Sequence, residues 1–378
     1  MPQDPTATSD VAVIGGGVIG LAIAWRAAQR GHRVCVLERG ALGAGASRVA
    51  AGMLAPVTEA DAGELALLEL GLRSARLWPQ FAAQLTDAAG ADPGLRRCGA
   101  LVVARDRDEA EALDRELGLR HELGLDAQRL LPSAARRLEP ALAPTIRLAL
   151  DVPGDHAADP RALVLALAEA ARRAGVTLRT GARVERVEQR AGRVTGLRLA
   201  GGEVVRAGRI VAAAGAWTGA VDGLPRIPLR PVKGQILRLR DPAGAGLLER
   251  IVRFEGGYLV PRGDGRYVLG ATMEERGFDT TVTAGGLYEL LRDAGELVPG
   301  VHELVVEEMS AGLRPAMPDN APLLGPSDEL AGLHWATGHH RNGILLAPVS
   351  ADIVVDGLEG AQDLPRAFAA ARFRGAHA

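Results

Sequence analysis

VAVIGGGVIGLAIAWRAAQRGHRVCVLE, residues 11–38, orders an apolar run, a Gly15-x-Gly17-x-x-Gly20 turn, a helical pattern, a second apolar run and an acid. Val11 to Ile14 reads as a short buried strand, and Val18 to Gln29 as a helix ended by Gly31. Val34 to Leu37 reads as a second strand, closed by Glu38. Glycine-rich turns alone are common and often merely structural; here strand, helix, second strand and acid agree on a βαβ dinucleotide-binding unit. Gly15 permits the tight turn, Gly17 lets the backbone approach a pyrophosphate, and Gly20 lets helix and strand pack closely. The helix aims free N–H groups and the positive end of its dipole at the phosphates. Glu38 stands where a carboxylate accepts hydrogen bonds from the adenosine ribose, and its charge disfavours a ribose phosphate.

The chain has 378 residues, enough for two domains. A net charge of −2 with 24% charged residues describes an ordinary surface and gives no sign of a nucleic-acid partner. The two isolated cysteines, Cys35 and Cys98, make neither a disulfide framework nor a zinc site. Cys35 reads as a small buried hydrophobe. The polar start MPQDPTATSD lacks the pattern of a signal peptide. The uncharged run from Val11 to Trp25 is too short and too glycine-rich to span a membrane. The expectation is a cytoplasmic protein with no metal site.

Residues 42–56, LGAGASRVAAGMLAP, are small or apolar apart from Ser47 and Arg48, which suits a segment lying against a bulky ligand. Helical spacing covers 64–90 and 106–120. Asp159-Pro160 opens another helix, with the aspartate as N-cap and the proline at its first position, and Gly175 ends it. Strands are expected at 176–180 and 193–199 with Val184 between them, and 209–215 reads as a core strand that meets the cofactor at Gly215. From 228 to 275 the pattern changes to alternating strands, with Gly263-Asp264-Gly265 as a hairpin turn. The last segment, LHWATGHHRNGILLAPVSADIVVDGL, returns to strand, glycine turn and helix.

The fold expected is α/β, α+β overall: a Rossmann-like dinucleotide-binding domain and a second domain built on an antiparallel sheet. The expected division gives 1–75, 156–220 and 310–378 to the first, and 76–155 and 221–309 to the second.

GGYLVPR at 256–262, AGLRPAMPDNAPLLG at 311–325 and GHHRNGILLAP at 338–348 join the N-terminal unit in one pattern. With them the chain resembles the flavin-dependent amine oxidases of the D-amino-acid oxidase superfamily, and among these the glycine oxidases of the thiamine pathway, over nearly its whole length. The RNGILLAP and GLRP runs are the more specific; the GxGxxG unit is shared by many flavoproteins.

The resemblance implies FAD as cofactor and gives roles to residues. Arg314 matches the family arginine that pairs with the substrate carboxylate, which a planar guanidinium grips with two parallel hydrogen bonds. The competing reading is a core salt bridge to Asp319. Tyr258 matches the tyrosine whose hydroxyl touches the substrate, against a strand residue packing on a sheet face. Met273 matches a residue near the substrate side chain, against simple core packing. Arg341, Asn342, Gly343, Ile344 and Leu345 match the part that passes the flavin ring. A helix starting there would turn its N–H groups to the pyrimidine end, where negative charge develops on reduction. Arg341 is also placed to reach the substrate carboxylate or close the site, against a plain surface charge at a helix end. His339 and His340 line the same site, but sequence neighbours do not share a face, so they imply no metal.

On the cofactor side Val18, Ile19, Glu38, Arg39, Ser47, Ala51, Gly52, Met53 and Val184 match FAD-contact positions, with Ala46 beside them. Monomeric sarcosine oxidases attach FAD through a C-terminal cysteine; this chain has none after Cys98, so non-covalent FAD is expected.

The implied activity is oxidative deamination of glycine, sarcosine, D-alanine or another small amine by hydride transfer to flavin. Oxygen would be reduced to hydrogen peroxide, and the imine supplied to thiazole synthesis. The implied assembly is a homo-oligomer, a tetramer being the form the resemblance suggests. Three alternatives stand beside it: a D-amino-acid or sarcosine dehydrogenase with a non-oxygen acceptor, a flavin domain acting on a modified tRNA uridine, and a non-catalytic FAD-binding subunit.

Overall fold

The computed structural model describes residues 9–244, 246–361 and 365–373; of the N-terminal stretch read for a leader, residues 1–8 lie outside these. Ser9–Ile14 is a central strand because Val11, Ala12, Val13 and Ile14 are apolar on both faces and can be buried on both. It pairs in parallel with Val34–Leu37 on one side and Val204–Ala212 on the other. Thr177–Arg179 and Leu333–Thr337 extend the parallel part. Val184–Arg190, Arg193–Leu199 and Leu323–Pro326 are added antiparallel, so Val184 begins a strand of its own.

Val18–Gln29 follows the glycine turn. It is apolar nearly all round because it lies between the sheet and three further helices, Leu65–Ala89, Pro160–Arg173 and Ala347–Leu358. Trp25 and Trp78 each meet Phe81 edge-on at 5.6 Å between ring centroids, contacts worth about 0.5–1.5 kcal/mol apiece beyond their area. Gly20 fixes how close the first helix sits: a Cβ there would stand 2.1 Å from the Gly15 carbonyl oxygen.

The second sheet has eight strands in the order Val305–Ala316, Arg230–Arg240, Arg266–Gly270, Gly257–Pro261, Ile251–Phe254, Ala100–Ala104, Leu148–Val152, Gln128–Leu130. Neighbours run antiparallel except Ile251–Phe254 with Ala100–Ala104. Its core is closed by the helix Ala284–Leu297. A small third sheet ties Met53–Leu54 to His156–Ala158 and Leu95–Arg96.

Several elements differ from the sequence expectation. The strands Ala100–Ala104 and Leu148–Val152 are covered on both faces, so they show no alternation to read. Ala284–Leu297 was hidden by Gly285-Gly286 in its first turn. The expected boundary at 310 falls inside Val305–Ala316, which pairs along the second sheet, and the boundary at 75 falls inside Leu65–Ala89. Among the described residues no helix is long and apolar enough to cross a membrane.

Candidate functional site

A cavity of about 1390 Å³ is lined by residues of both large sheets. Pockets for drug-sized ligands hold roughly 300–1,000 Å³, so this one has room for a dinucleotide and a small substrate together.

At one end the backbone does the work. Gly17 caps the Val18–Gln29 helix in extended conformation with no side-chain cap of its own, and Ser47 reaches in from the small-residue segment so that its Oγ accepts from Val18 N at 3.0 Å. Glu38 is held at the rim by two backbone donors: Oε2 accepts from Gly16 N at 2.8 Å and Oε1 from Gly40 N at 2.9 Å. Arg39 lies 3.8 Å above the ring centre of Trp217, which stands in the cavity wall. A turn with no side chains and a helix N-terminus supply donors that fit the pyrophosphate of FAD, and the fixed acid is an acceptor that fits its ribose. Gly15, Gly17, Val18, Ile19 and Ser47 would hold the phosphates and Glu38 the ribose.

The other sequence-predicted cofactor residues fall around it. Arg39, Ala46, Ala51, Gly52, Met53, Val184, Gly215, His339, His340, Arg341, Gly343 and Ile344 line the cavity. Gly20, Asn342 and Leu345 do not. Gly20 sits behind the turn, and the Leu345 carbonyl accepts from Ser74 Oγ at 2.6 Å and Trp78 Nε1 at 2.8 Å, facing the helical core. The turn His340–Asn342 is 3₁₀, and the α-helix begins only at Ala347, with proline in its first turn setting the start.

At the other end side chains take over. Arg314 lies opposite Val232 in the strand pairing. Its guanidinium passes over Gly234, where a Cβ would stand 2.4 Å from Nη1. Nη1 donates to the Thr272 carbonyl at 3.0 Å and the Lys233 carbonyl at 3.4 Å. The salt bridge to Asp319 does not form, because Asp319 accepts instead from Arg372 Nε at 2.8 Å. Tyr258 pairs with Gly270 in the sheet and lines the cavity. Burial raises its phenol above the usual value while Arg314 pulls the other way, so the hydroxyl keeps its proton at neutral pH. Met273 lines the same end and is 69% exposed, which excludes simple core packing.

Arg341 is not a loose surface charge. Its Nε donates to Glu59 Oε2 at 2.8 Å and Nη2 to Glu64 Oε2 at 3.3 Å, and Asn320 Nδ2 holds the other oxygen of Glu64 at 2.7 Å. Those acids occupy the guanidinium that was expected to reach the substrate. His339 Nε2 meets Ser350 Oγ at 3.0 Å, and burial pushes its imidazole down to about 3. His340 is pushed down to about 3 as well, by burial first and then by Arg314, Arg341 and Arg230. Both rings are neutral, and both His340 ring nitrogens are buried with no hydrogen-bond partner among the described residues. Among the described residues no group of three His, Cys, Asp or Glu is arranged to hold a metal ion.

Sequence reasoning passed over Glu59, Lys233, Gln235 and Thr272. Buried Lys233 donates from Nζ to Asp279 at 2.8 Å, and buried Gln235 donates from Nε2 to Glu274 at 2.7 Å and Thr283 at 3.0 Å, fastening the segment that carries Met273. Two polar residues in an otherwise apolar strand, VKGQIL, were the available signal.

A family model described as FAD dependent oxidoreductase matches residues 10–357. A glycine oxidase of Geobacillus kaustophilus is 38% identical over 93% of this chain and 93% of its own length. The bifunctional protein ThiO/ThiG of Trichormus variabilis is 38% identical over 92% of this chain but only 52% of its own length. The crystal structure of glycine oxidase from Geobacillus kaustophilus superimposes with a TM-score of 0.91 at 36% identity, covering 98% of this chain and 100% of that one.

Proposed function

We propose, from the premise that this chain belongs to the FAD-dependent oxidoreductase family and is a flavoenzyme of the glycine-oxidase type, that it oxidatively deaminates glycine and other small amines or D-amino acids. The observation that carries this reading is Arg314: a guanidinium in the cavity beside Tyr258, held in place by two carbonyls, with no carboxylate paired to it among the described residues. A carboxylate is its natural partner, and a hydrogen bond to a charged group contributes about 1.5–3 kcal/mol net. Pinning the carboxylate orients the neighbouring Cα–H, and orientation supplies much of the rate in such reactions. Tyr258, protonated, donates a hydrogen bond to the same end of the substrate. Met273 covers the mouth and limits side-chain size.

The chemistry FAD supplies when bound is acceptance of a hydride from Cα, with oxygen then reduced to hydrogen peroxide. The imine left behind hydrolyses or passes to thiazole assembly in thiamine synthesis, a use in keeping with the ThiO part of the fused relatives. We further propose that the flavin is non-covalent, since Met317 and its neighbours in the GLRP segment supply no thiol. A cytoplasmic homo-oligomer completes the reading.

The test is anaerobic mixing of the purified yellow protein with glycine, sarcosine and D-alanine, following flavin absorbance. Bleaching, with peroxide when air is admitted, is the expected result and ranks the substrates. Bleaching without reoxidation by air replaces the oxidase with a dehydrogenase. Persistent colour with all three removes the substrate class.

A further inference from the structure

Residues 55–61 run beside the substrate end of the cavity and form neither helix nor strand, yet they are held tightly. Buried Asp155 accepts from Val57 N at 3.1 Å and Thr58 N at 2.7 Å. Buried Arg120 donates from Nε to the Val57 carbonyl and from Nη2 to the Thr58 carbonyl, both at 3.0 Å. Arg253 donates to the Thr58 carbonyl as well. Burying charges is costly unless each is satisfied, and here the backbone of one turn satisfies two buried charges and meets a half-buried third. Such over-determination of a loop fixes the next residue, Glu59.

Glu59 lines the cavity with its side chain 13% exposed. Its Oε2 is taken by Arg341; among the described residues no donor meets Oε1. Arg341 is shared with Glu64, so two carboxylates face one guanidinium and the cluster keeps one formal negative charge. Arg314, which with Glu59 acts on the Tyr258 phenol at the same end of the cavity, carries the opposite charge against two carbonyls and that hydroxyl, and among the described residues no carboxylate pairs with it. An α-amino acid at neutral pH is a zwitterion that matches this arrangement.

We infer that Glu59 is a specificity-determining residue: its carboxylate receives the ammonium group of a small amino acid whose carboxylate lies on Arg314, and so selects zwitterions over plain carboxylates. This rests on the deamination reading above for the identity of the substrate. It assigns Arg341 a supporting part, that of orienting Glu59 rather than gripping the substrate.

The experiment compares wild type with Glu59→Gln, both loaded with FAD, using two ligands of equal size. Glycine binding is read from anaerobic flavin reduction. Glycolate, with a hydroxyl in place of the ammonium, is titrated through the change in flavin visible absorption. Glu59→Gln is expected to weaken glycine about ten- to a hundredfold. Glycolate should bind as before or a few-fold tighter, since a like charge has been removed. Equal weakening of both ligands, or unchanged glycine binding, overturns the assignment. Glu64→Gln takes one charge from the same cluster but outside the cavity wall, so it should shift the ratio between the two ligands by less than Glu59→Gln; an equal or larger shift also overturns the assignment. If Glu59→Gln loses FAD, Glu59→Asp replaces it, with weakened glycine and unchanged glycolate expected. Should no amino acid bleach the wild-type flavin, the deamination reading fails. Glycine is then titrated like glycolate, through the unreduced flavin spectrum, and Glu59 is judged on that ratio.

Discussion

The two ends of the cavity are built by opposite means. The dinucleotide end uses backbone: a glycine turn, a helix N-terminus and one acid, all within residues 11–38. The end proposed to take the substrate uses side chains brought from Glu59, Tyr258, Arg314 and Arg341, each positioned by contacts to distant segments. A pyrophosphate is recognised by shape and N–H groups, so the chain must be bare and closely packed there. A small zwitterion would be recognised by charge, so the chain must keep the acidic cluster around Arg341 from pairing with Arg314. The first requirement is local, the second is not.

Breaking the local end should have the larger effect. A side chain at Gly20 meets the Gly15 carbonyl at 2.1 Å, and overpacking of this kind costs about 1–3 kcal/mol or more. Gly20→Val is therefore expected to weaken FAD binding on the order of a hundredfold, read from the ratio of visible to ultraviolet absorbance after gel filtration. Full FAD retention with impaired glycine binding would dissolve the division between the ends.

Arg314→Ala tests the other end: flavin content unchanged, KM for glycine raised roughly ten- to a hundredfold. Gly234→Ala sharpens it, because the added methyl displaces the guanidinium without removing it. About a three- to tenfold rise in KM is expected, with normal flavin, from a displacement costing about 1 kcal/mol.

The smallest effect concerns neither end directly. His339 and His340 are held neutral, with imidazoles pushed down to about 3. Below about pH 6.5 the unfolded chain binds protons that the folded chain refuses. Their contribution to stability is thus present above pH 6.5 and is lost as pH falls towards 3. Asp155, pushed up to about 6, works the opposite way, favouring the folded state as pH falls through 6. His156 and His334, lowered by burial, add to the fall, while Glu139 and Asp352, raised by burial, work with Asp155; the two most displaced rings set the sign, so Tm is expected to fall between pH 6.5 and 4, and His339→Gln should flatten the fall in a thermal-shift series.

What the sequence disclosed follows the same line. The βαβ unit was legible because its parts are neighbours, and the hairpin at Gly263–Gly265 because its glycines mark the turn. Arg314 and Tyr258 were singled out through resemblance, since neither GLRP nor YLVPR announces a carboxylate site by itself. Glu59 was missed because TEADAGE reads as a solvated loop. The partners that fix Thr58 beside it come from 62, 97 and 195 residues away. The strand Ala100–Ala104 was missed for a different reason: buried on both faces, it shows no period to detect.

Trp217 gives the molecule an optical property. Three of the four tryptophans, Trp25, Trp78 and Trp335, are sealed in the cores, whereas Trp217 borders the cavity with Arg39 on its ring and Phe278 stacked beside it at 5.9 Å. An indole in the wall of this cavity would pass its excitation to a flavin bound there. The protein would then carry its own gauge of cofactor loading: tryptophan emission dims as FAD enters and brightens as it leaves, with no label attached.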